Sequence, residues 1–195
     1  SSDVCSSDLR PETEELVDLI LAENPNTELK VLDIGTGSGA IAVSLKKSRP
    51  MWQVTASDLS ADALVLAKDN AKLNRVDISF VLADVFENVS GCFDIIVSNP
   101  PYISENDKDE VGLNVLTSEP KMALFADEDG LAIYRQILED ADKYLNPQGK
   151  LYFEIGYKQG EDLRKLLSLH FPDKHVRVLK DQFGQDRMVV MDDGN

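Results

Sequence analysis

Four consecutive residues, Asn99-Pro100-Pro101-Tyr102, follow the apolar run Phe93–Ser98 and carry the most specific chemistry in the chain. Each proline fixes its own φ and disfavours the α region for the residue before it, which pushes Asn99 and Pro100 toward extended backbone. Neither proline has an N–H, so no proline amide in this turn competes for the local carbonyls. What remains is a stiff pair of acceptors, the Asn99 side-chain oxygen and the Pro100 backbone oxygen, with the Tyr102 ring beside them. Such a pair suits a planar –NH2 group. The plainer alternative is a strand followed by a proline-rich turn, with Tyr102 covering the edge of the core.

Three upstream groups also stand directly after short apolar runs. The first is the loop Asp33-Ile34-Gly35-Thr36-Gly37-Ser38-Gly39. Its glycines permit a tight turn and let a ligand approach the backbone with no Cβ in the way. The helix that follows offers unpaired N–H groups to a carboxylate or phosphate. Gly35, Gly37 and Ala40 also satisfy the loose dinucleotide pattern G-x-G-x-x-G/A, with Asp58 at a ribose-binding distance. The loop by itself therefore does not choose its ligand. The second group is Asp58, whose carboxylate can accept from both hydroxyls of a ribose. The third is Asp84, suited to accept from an adenine amino group. Either aspartate alone is more often a strand-end or helix-capping residue; three ligand-type groups on consecutive strands, followed by a fourth strand ending in Asn-Pro-Pro-Tyr, are harder to explain that way.

The elements needed to position these groups alternate. Arg10-Pro11-Glu12-Thr13-Glu14 opens a helix with Thr13 as its expected cap and Leu16, Val17, Ile20 and Leu21 at helical spacing. Strands are expected at 31–34, 54–56, 78–82, 93–98 and 150–155. Between them lie helices from about 40 to 47, from Ser60 with Leu64, Ala67 and Ala71 inward, and along Leu131, Tyr134, Leu138, Ala141 and Leu145. Asn146-Pro147-Gln148-Gly149 is expected to stop the last of these. A helix over 161–170 and two strands near 176–179 and 188–191 complete the chain, the two strands joined as an antiparallel hairpin. Alternation of this kind predicts an α/β, doubly wound and mostly parallel sheet, with ligands at the carboxyl ends of the strands.

Composition narrows the partners. The 195 residues suit one domain, and the net charge of −15 repels nucleic-acid phosphates and anionic membranes. No apolar run reaches membrane-spanning length. Cys5 and Cys92 have no metal-type spacing and are expected as reduced thiols in a cytoplasmic setting, with Cys92 packed at the start of its strand. His170 and His175 are expected at the surface, and no metal site is expected. Residues 1–9 repeat Ser-Ser-Asp and read as a tail outside the fold, leaving 10–195 as one catalytic domain.

Taken in order, Asp-Ile-Gly-Thr-Gly-Ser-Gly, Asp58, Asp84 and Asn-Pro-Pro-Tyr resemble the class I S-adenosyl-L-methionine-dependent methyltransferases. Arg10-Pro-Glu-Thr-Glu14 with Ser98-Asn-Pro-Pro-Tyr-Ile103 narrows the resemblance to release factor glutamine methyltransferases of the HemK/PrmC type. Further agreements are Glu119-Pro120, Ala123-Leu124, Gly130-Leu131, Glu154-Ile155-Gly156 and Asp181…Gly184…Asp186-Arg187. The resemblance implies a Rossmann-like seven-stranded sheet in the order 3-2-1-4-5-7-6 with strand 7 antiparallel. It implies that Gly35, Thr36, Gly37, Ser38 and Gly39 wrap the methionine part of the cofactor, with Asp58 on the ribose, Asp84 and Val85 framing the adenine, and Asn99 also at the cofactor. Asn99, Pro100, Pro101 and Tyr102 would hold the substrate glutamine of bacterial class 1 release factors. The family's separate N-terminal helical domain, which contributes to release-factor recognition, has no counterpart in this sequence, and Leu9 stands where the family usually has proline. The alternatives are an adenine-N6 DNA or RNA methyltransferase, a nicotinamide-dependent oxidoreductase and a non-catalytic cofactor-binding scaffold. The first would need a basic face, and the second leaves Asn-Pro-Pro-Tyr unexplained.

Overall fold

A computed structural model describes residues 9–100 and 130–195. In chain order the elements are α1 (Pro11–Glu23), β1 (Lys30–Ile34), α2 (Ala40–Ser48), β2 (Gln53–Asp58), α3 (Ala61–Leu73), β3 (Ser79–Leu82), β4 (Phe93–Ser98), α4 (Ala132–Tyr144), β5 (Leu145–Glu154), α5 (Gly160–His170), β6 (His175–Lys180) and β7 (Asp186–Asp192). The seven strands form one sheet ordered β3-β2-β1-β4-β5-β7-β6, parallel throughout except for β7, which runs antiparallel to both β5 and β6. This is the order and the antiparallel strand that the family resemblance implied.

Side chains alternate across the strands, so each central strand feeds two cores. On one face Leu32, Ile96, Leu151, Phe153 and Val189 pack against Tyr134, Ile137 and Leu138 of α4 and Leu163 and Leu167 of α5. On the other, Val31, Val54, Ile95, Val97 and Tyr152 pack under Leu16, Val17 and Ile20 of α1 and Leu45 of α2. The chain winds from β1 outward through β2 and β3, then returns to β4 on the opposite side. The crevice where that direction reverses lies between the loops after β1 and β4.

Three local expectations need correction. Thr13 does not cap α1. Pro11, with its fixed φ, takes the first helical position behind an extended Arg10, and Thr13 sits one turn in, buried. Leu145 leaves the helix and pairs with Phe93; pairing resumes only at Ile95 with Lys150, so residues 146–149 bulge out within β5 rather than following α4 as a separate turn. Cys92 is exposed, because Phe93 is the residue that begins the buried run. By contrast, Ser60 caps α3 by accepting from the Ala63 N–H, and Leu64, Ala67 and Ala71 are its buried residues. His170 and His175 are both exposed. Among the described residues, no helix is long and apolar enough to cross a membrane.

Candidate functional site

Strand register brings the sequence motifs together. Ile34 at the end of β1 pairs with Ser98 at the end of β4, and the Ser98 hydroxyl donates to the Ile34 carbonyl at 2.8 Å. The glycine loop and Asn99 therefore begin side by side. On the other flank, the Thr36 N–H donates to the Ser57 carbonyl at 2.9 Å, and the Gly37 N–H donates to Asp58 Oδ2 at 2.8 Å. Asp58 pairs with Leu82 across β2 and β3, and its carbonyl accepts from the Ala83 N–H, which places Asp84 one step beyond. Gly35–Gly39, Asp58, Asp84 and Asn99 thus form one rim across the carboxyl ends of four adjacent strands.

Backbone geometry explains the residue types in the loop. Gly35, Gly37 and Gly39 have φ of 69°, 57° and 82°, in the left-handed region that L side chains rarely adopt. A Cβ at Gly35 or Gly37 would meet no atom of the described residues within 4 Å, so among these residues both glycines border open space. The loop is held from behind, where Asn70 of α3 donates from Nδ2 to the Ser38 carbonyl at 2.8 Å. Val85 is half-buried with φ 55°, a strained conformation for a β-branched residue, beside the exposed Asp84. A cavity of about 410 Å³ opens on the α4 side of this segment, edged by Glu87, Glu139 and Asp140; the glycine loop and Asn99 are not among its walls.

Asn99 is half-buried and Pro100 buried at the end of β4. Pro101, Tyr102 and the Glu119-Pro120 and Ala123-Leu124 pairs lie outside the described residues. The Asn99 Nδ2 donates to Thr13 Oγ1 at 3.5 Å, and the Thr13 hydroxyl donates to Glu154 Oε2 at 2.7 Å.

Two carboxylates at this rim had no separate role in the sequence reading. Asp33 is fully buried in β1; its Oδ2 accepts from the Thr36 hydroxyl at 2.7 Å, while among the described residues Oδ1 has no hydrogen bond of normal geometry. Burial pushes its carboxyl up to about 7, opposed by the Thr36 hydrogen bond and, less strongly, by the Ala42 backbone N–H. Glu154 is buried at the end of β5, and burial likewise raises its carboxyl above the usual range. Both interrupt apolar strands, Asp33 between Leu32 and Ile34 and Glu154 between Phe153 and Ile155. That was the available signal, since a carboxylate in such a place needs a partner.

The Asp33 shift makes a stability prediction. A carboxyl raised in the folded state is favoured protonated there, so its ionisation destabilises the fold; the penalty is absent near pH 4 and complete above about pH 7. Asp33→Asn removes it. The stability of Asp33→Asn relative to the unliganded native protein is expected to rise from pH 4 to pH 7 by roughly 3–4 kcal/mol, at about 1.4 kcal/mol per pH unit. Denaturant unfolding at a series of pH values checks this; parallel stability curves would refute it.

Sheet order, glycine loop and strand-end carboxylates together define a Rossmann-like methyltransferase domain. The family model described as Methyltransferase small domain matches residues 12–127. The release factor glutamine methyltransferase of Streptococcus pneumoniae is 64% identical over 185 residues, covering 95% of this chain and 66% of that protein. The protein of the same name from Lactococcus lactis is 51% identical over 180 residues, covering 92% and 67%. A T. thermophilus 16S rRNA methyltransferase, solved in complex with AdoMet and guanosine, superposes with a TM-score of 0.66 at 18% identity, covering 95% of this chain and 43% of that one. The chain belongs to the release factor glutamine methyltransferase family, within the small-domain methyltransferases. It spans about two thirds of the length of these curated relatives.

Proposed function

We propose that this domain transfers a methyl group from S-adenosylmethionine to the side-chain amide nitrogen of the glutamine in the Gly-Gly-Gln motif of bacterial class 1 release factors, in the cytoplasm. The observation that carries the reading is the pairing of Ile34 with Ser98, which sets the glycine loop and the Asn99–Pro100 acceptors next to each other. The names of the curated relatives supply the substrate class.

The residues fit the cofactor. Among the described residues Gly35 and Gly37 leave open space at left-handed backbone, and Asp33 Oδ1 has no hydrogen bond, so the Asp33 carboxyl is a buried acceptor that the cationic amino group of a methionine moiety would draw into its ionised form. Gly35 to Gly39 with Asp33 would hold that moiety, Asp58 the ribose, and Asp84 with Val85 the adenine. When bound, S-adenosylmethionine supplies an electrophilic methyl on a sulfonium.

An amide nitrogen is a poor nucleophile because its lone pair is delocalised into the carbonyl. Asn99 Oδ1 and the Pro100 carbonyl would accept its two N–H bonds and so orient the nitrogen toward the methyl. Positive charge moves onto that nitrogen during transfer, and two preorganised acceptors stabilise it there. Tyr102 is assigned to stack on the amide plane. In-line attack needs reacting atoms about 3 Å apart, so positioning supplies much of the rate. Transfer is direct, with no covalent enzyme intermediate. The nitrogen becomes strongly acidic as charge arrives, and its extra proton would pass to solvent water.

The test is transfer of labelled methyl from S-adenosylmethionine to a purified bacterial release factor, beside its Gly-Gly-Gln glutamine→Ala version and a duplex DNA control. Label on the unaltered release factor alone is expected. Label on the DNA, or equal label on both release factors, would overturn the proposal.

A further inference from the structure

Three elements that are distant in sequence meet behind Asn99: the end of β4, the first turn of α1 and the end of β5. The chain of contacts runs from Asn99 Nδ2 to Thr13 Oγ1 at 3.5 Å and from the Thr13 hydroxyl to Glu154 Oε2 at 2.7 Å. A hydroxyl has one proton to give, and an ionised carboxylate only accepts. With Glu154 ionised, Thr13 must spend that proton on Glu154, and toward Asn99 it can only accept. Asn99 then has to turn its NH2 toward Thr13 and its oxygen the other way. The two ends of a carboxamide are nearly the same size, so shape alone would not select between them.

We infer that Thr13 and Glu154 are positioning residues that set the polarity of Asn99, presenting its oxygen rather than its NH2 to the substrate amide. The inference rests on the proposed role of Asn99 as an acceptor for that amide. Turned over, Asn99 would set a donor against the donors of the substrate and could grip neither N–H.

The surroundings keep this relay in place. The Tyr134 hydroxyl donates to the Glu154 carbonyl at 2.6 Å, and the Ile155 N–H donates to the Arg187 carbonyl at 2.8 Å. Arg187 donates from Nη1 to the Ile155 carbonyl at 3.3 Å and from Nε to Asp181 Oδ2 at 3.2 Å. The charged groups acting on the Glu154 carboxyl come from two elements. Arg187 of β7 and Arg10 at the start of α1 favour its ionised form, while Glu12 of α1 opposes it and burial opposes it most. A protonated Glu154 becomes a donor to Thr13 Oγ1, which releases the Thr13 hydrogen toward Asn99 and removes the constraint. Methyl transfer should therefore fall as acid protonates Glu154.

Thr13→Val deletes the relay, Glu154→Gln keeps its shape but lets the partner either donate or accept, and Thr13→Ser preserves it. Groups that orient a functional side chain from behind are worth about 10- to 100-fold in activity. Thr13→Val and Glu154→Gln are expected to lose about that much in kcat for release-factor methylation, with the KM for S-adenosylmethionine within about twofold, as fits loss of an interaction at the reacting end. Thr13→Ser should recover most of the loss. The second readout is the side-chain ¹⁵N–¹H2 pair of Asn99, identified by its disappearance in Asn99→Ala. Its resonances should move with pH as Glu154 titrates in the native protein and stay flat in Glu154→Gln. Unchanged kcat in both variants, or Asn99 resonances that ignore the Glu154 titration, would overturn the inference. If the native protein fails to methylate glutamine while the Asn99 resonances still follow Glu154, the functional proposal falls and the relay stands.

Discussion

Asn99→Ala is expected to lower kcat for glutamine methylation about 10²- to 10³-fold, the loss seen when one preorganised electrostatic partner is removed from a developing charge. Asn99 would contribute one of two acceptors on the substrate nitrogen, and the Pro100 carbonyl cannot hold both N–H bonds alone. A nitrogen held by one hydrogen bond can swing about it, so orientation is lost together with charge stabilisation. The fold should tolerate the change. Asn99 is half-buried, and among the described residues its side chain makes one long hydrogen bond, the loss of which costs about 1 kcal/mol. Steady-state transfer to a release factor, paired with equilibrium binding of S-adenosylmethionine, separates the two contributions. A kcat within about threefold of the native value would remove Asn99 from the chemistry. An affinity for the cofactor that falls as far as kcat would make it a cofactor ligand only.

The relation between this site and the sequence is uneven, for identifiable reasons. Strand and helix positions were legible because the two periods differ, and Leu64, Ala67 and Ala71 were read at their buried places from spacing alone. Leu145 was misread because it continues the helical spacing from Leu138, although the chain turns there to reach Phe93. The rim residues Gly35–Gly39, Asp58, Asp84 and Asn99 were legible because strand-end loops carry short, unusual sequences. Their adjacency was not, since it depends on the sheet order, and that order came from family resemblance rather than from periodicity. Thr13 and Glu154 lie 141 residues apart, and nothing local to Thr13 distinguishes a hydroxyl that faces a carboxylate from one that caps a helix. The left-handed backbone of Val85 was equally invisible, because valine is the last residue that conformational preference would place there.

The three glycines of the loop look alike in sequence and should behave in two different ways. Gly35→Ala meets no atom of the described residues within 4 Å, so its expected cost is the left-handed backbone, about 1–2 kcal/mol. Its methyl group does, however, enter the space left open for a ligand, and S-adenosylmethionine should bind at least about tenfold more weakly, a difference of 1.4 kcal/mol. At Gly39 the same substitution meets Ala67 of α3, with the new Cβ 3.0 Å from the Ala67 Cβ and 3.2 Å from its Cα. One of those atoms is backbone, so relief requires α2 and α3 to move apart. Overpacking of this kind costs about 1–3 kcal/mol beyond the backbone strain, and Gly39→Ala should be the less stable of the two variants by about that amount. Ala67→Gly by itself weakens α3 by about 1 kcal/mol, so the informative quantity is the coupling in a double-mutant cycle. The Gly39→Ala, Ala67→Gly pair should be more stable than the sum of its parts by about 0.5–3 kcal/mol, because deleting the Ala67 methyl removes the closest contact. Chemical denaturation of the four proteins measures this directly. Equal losses at positions 35 and 39 with no coupling to Ala67 would mean that Gly39 is required for its φ alone. A positive coupling would assign Gly39 to the packing of α2 on α3 and leave ligand approach to Gly35 and Gly37.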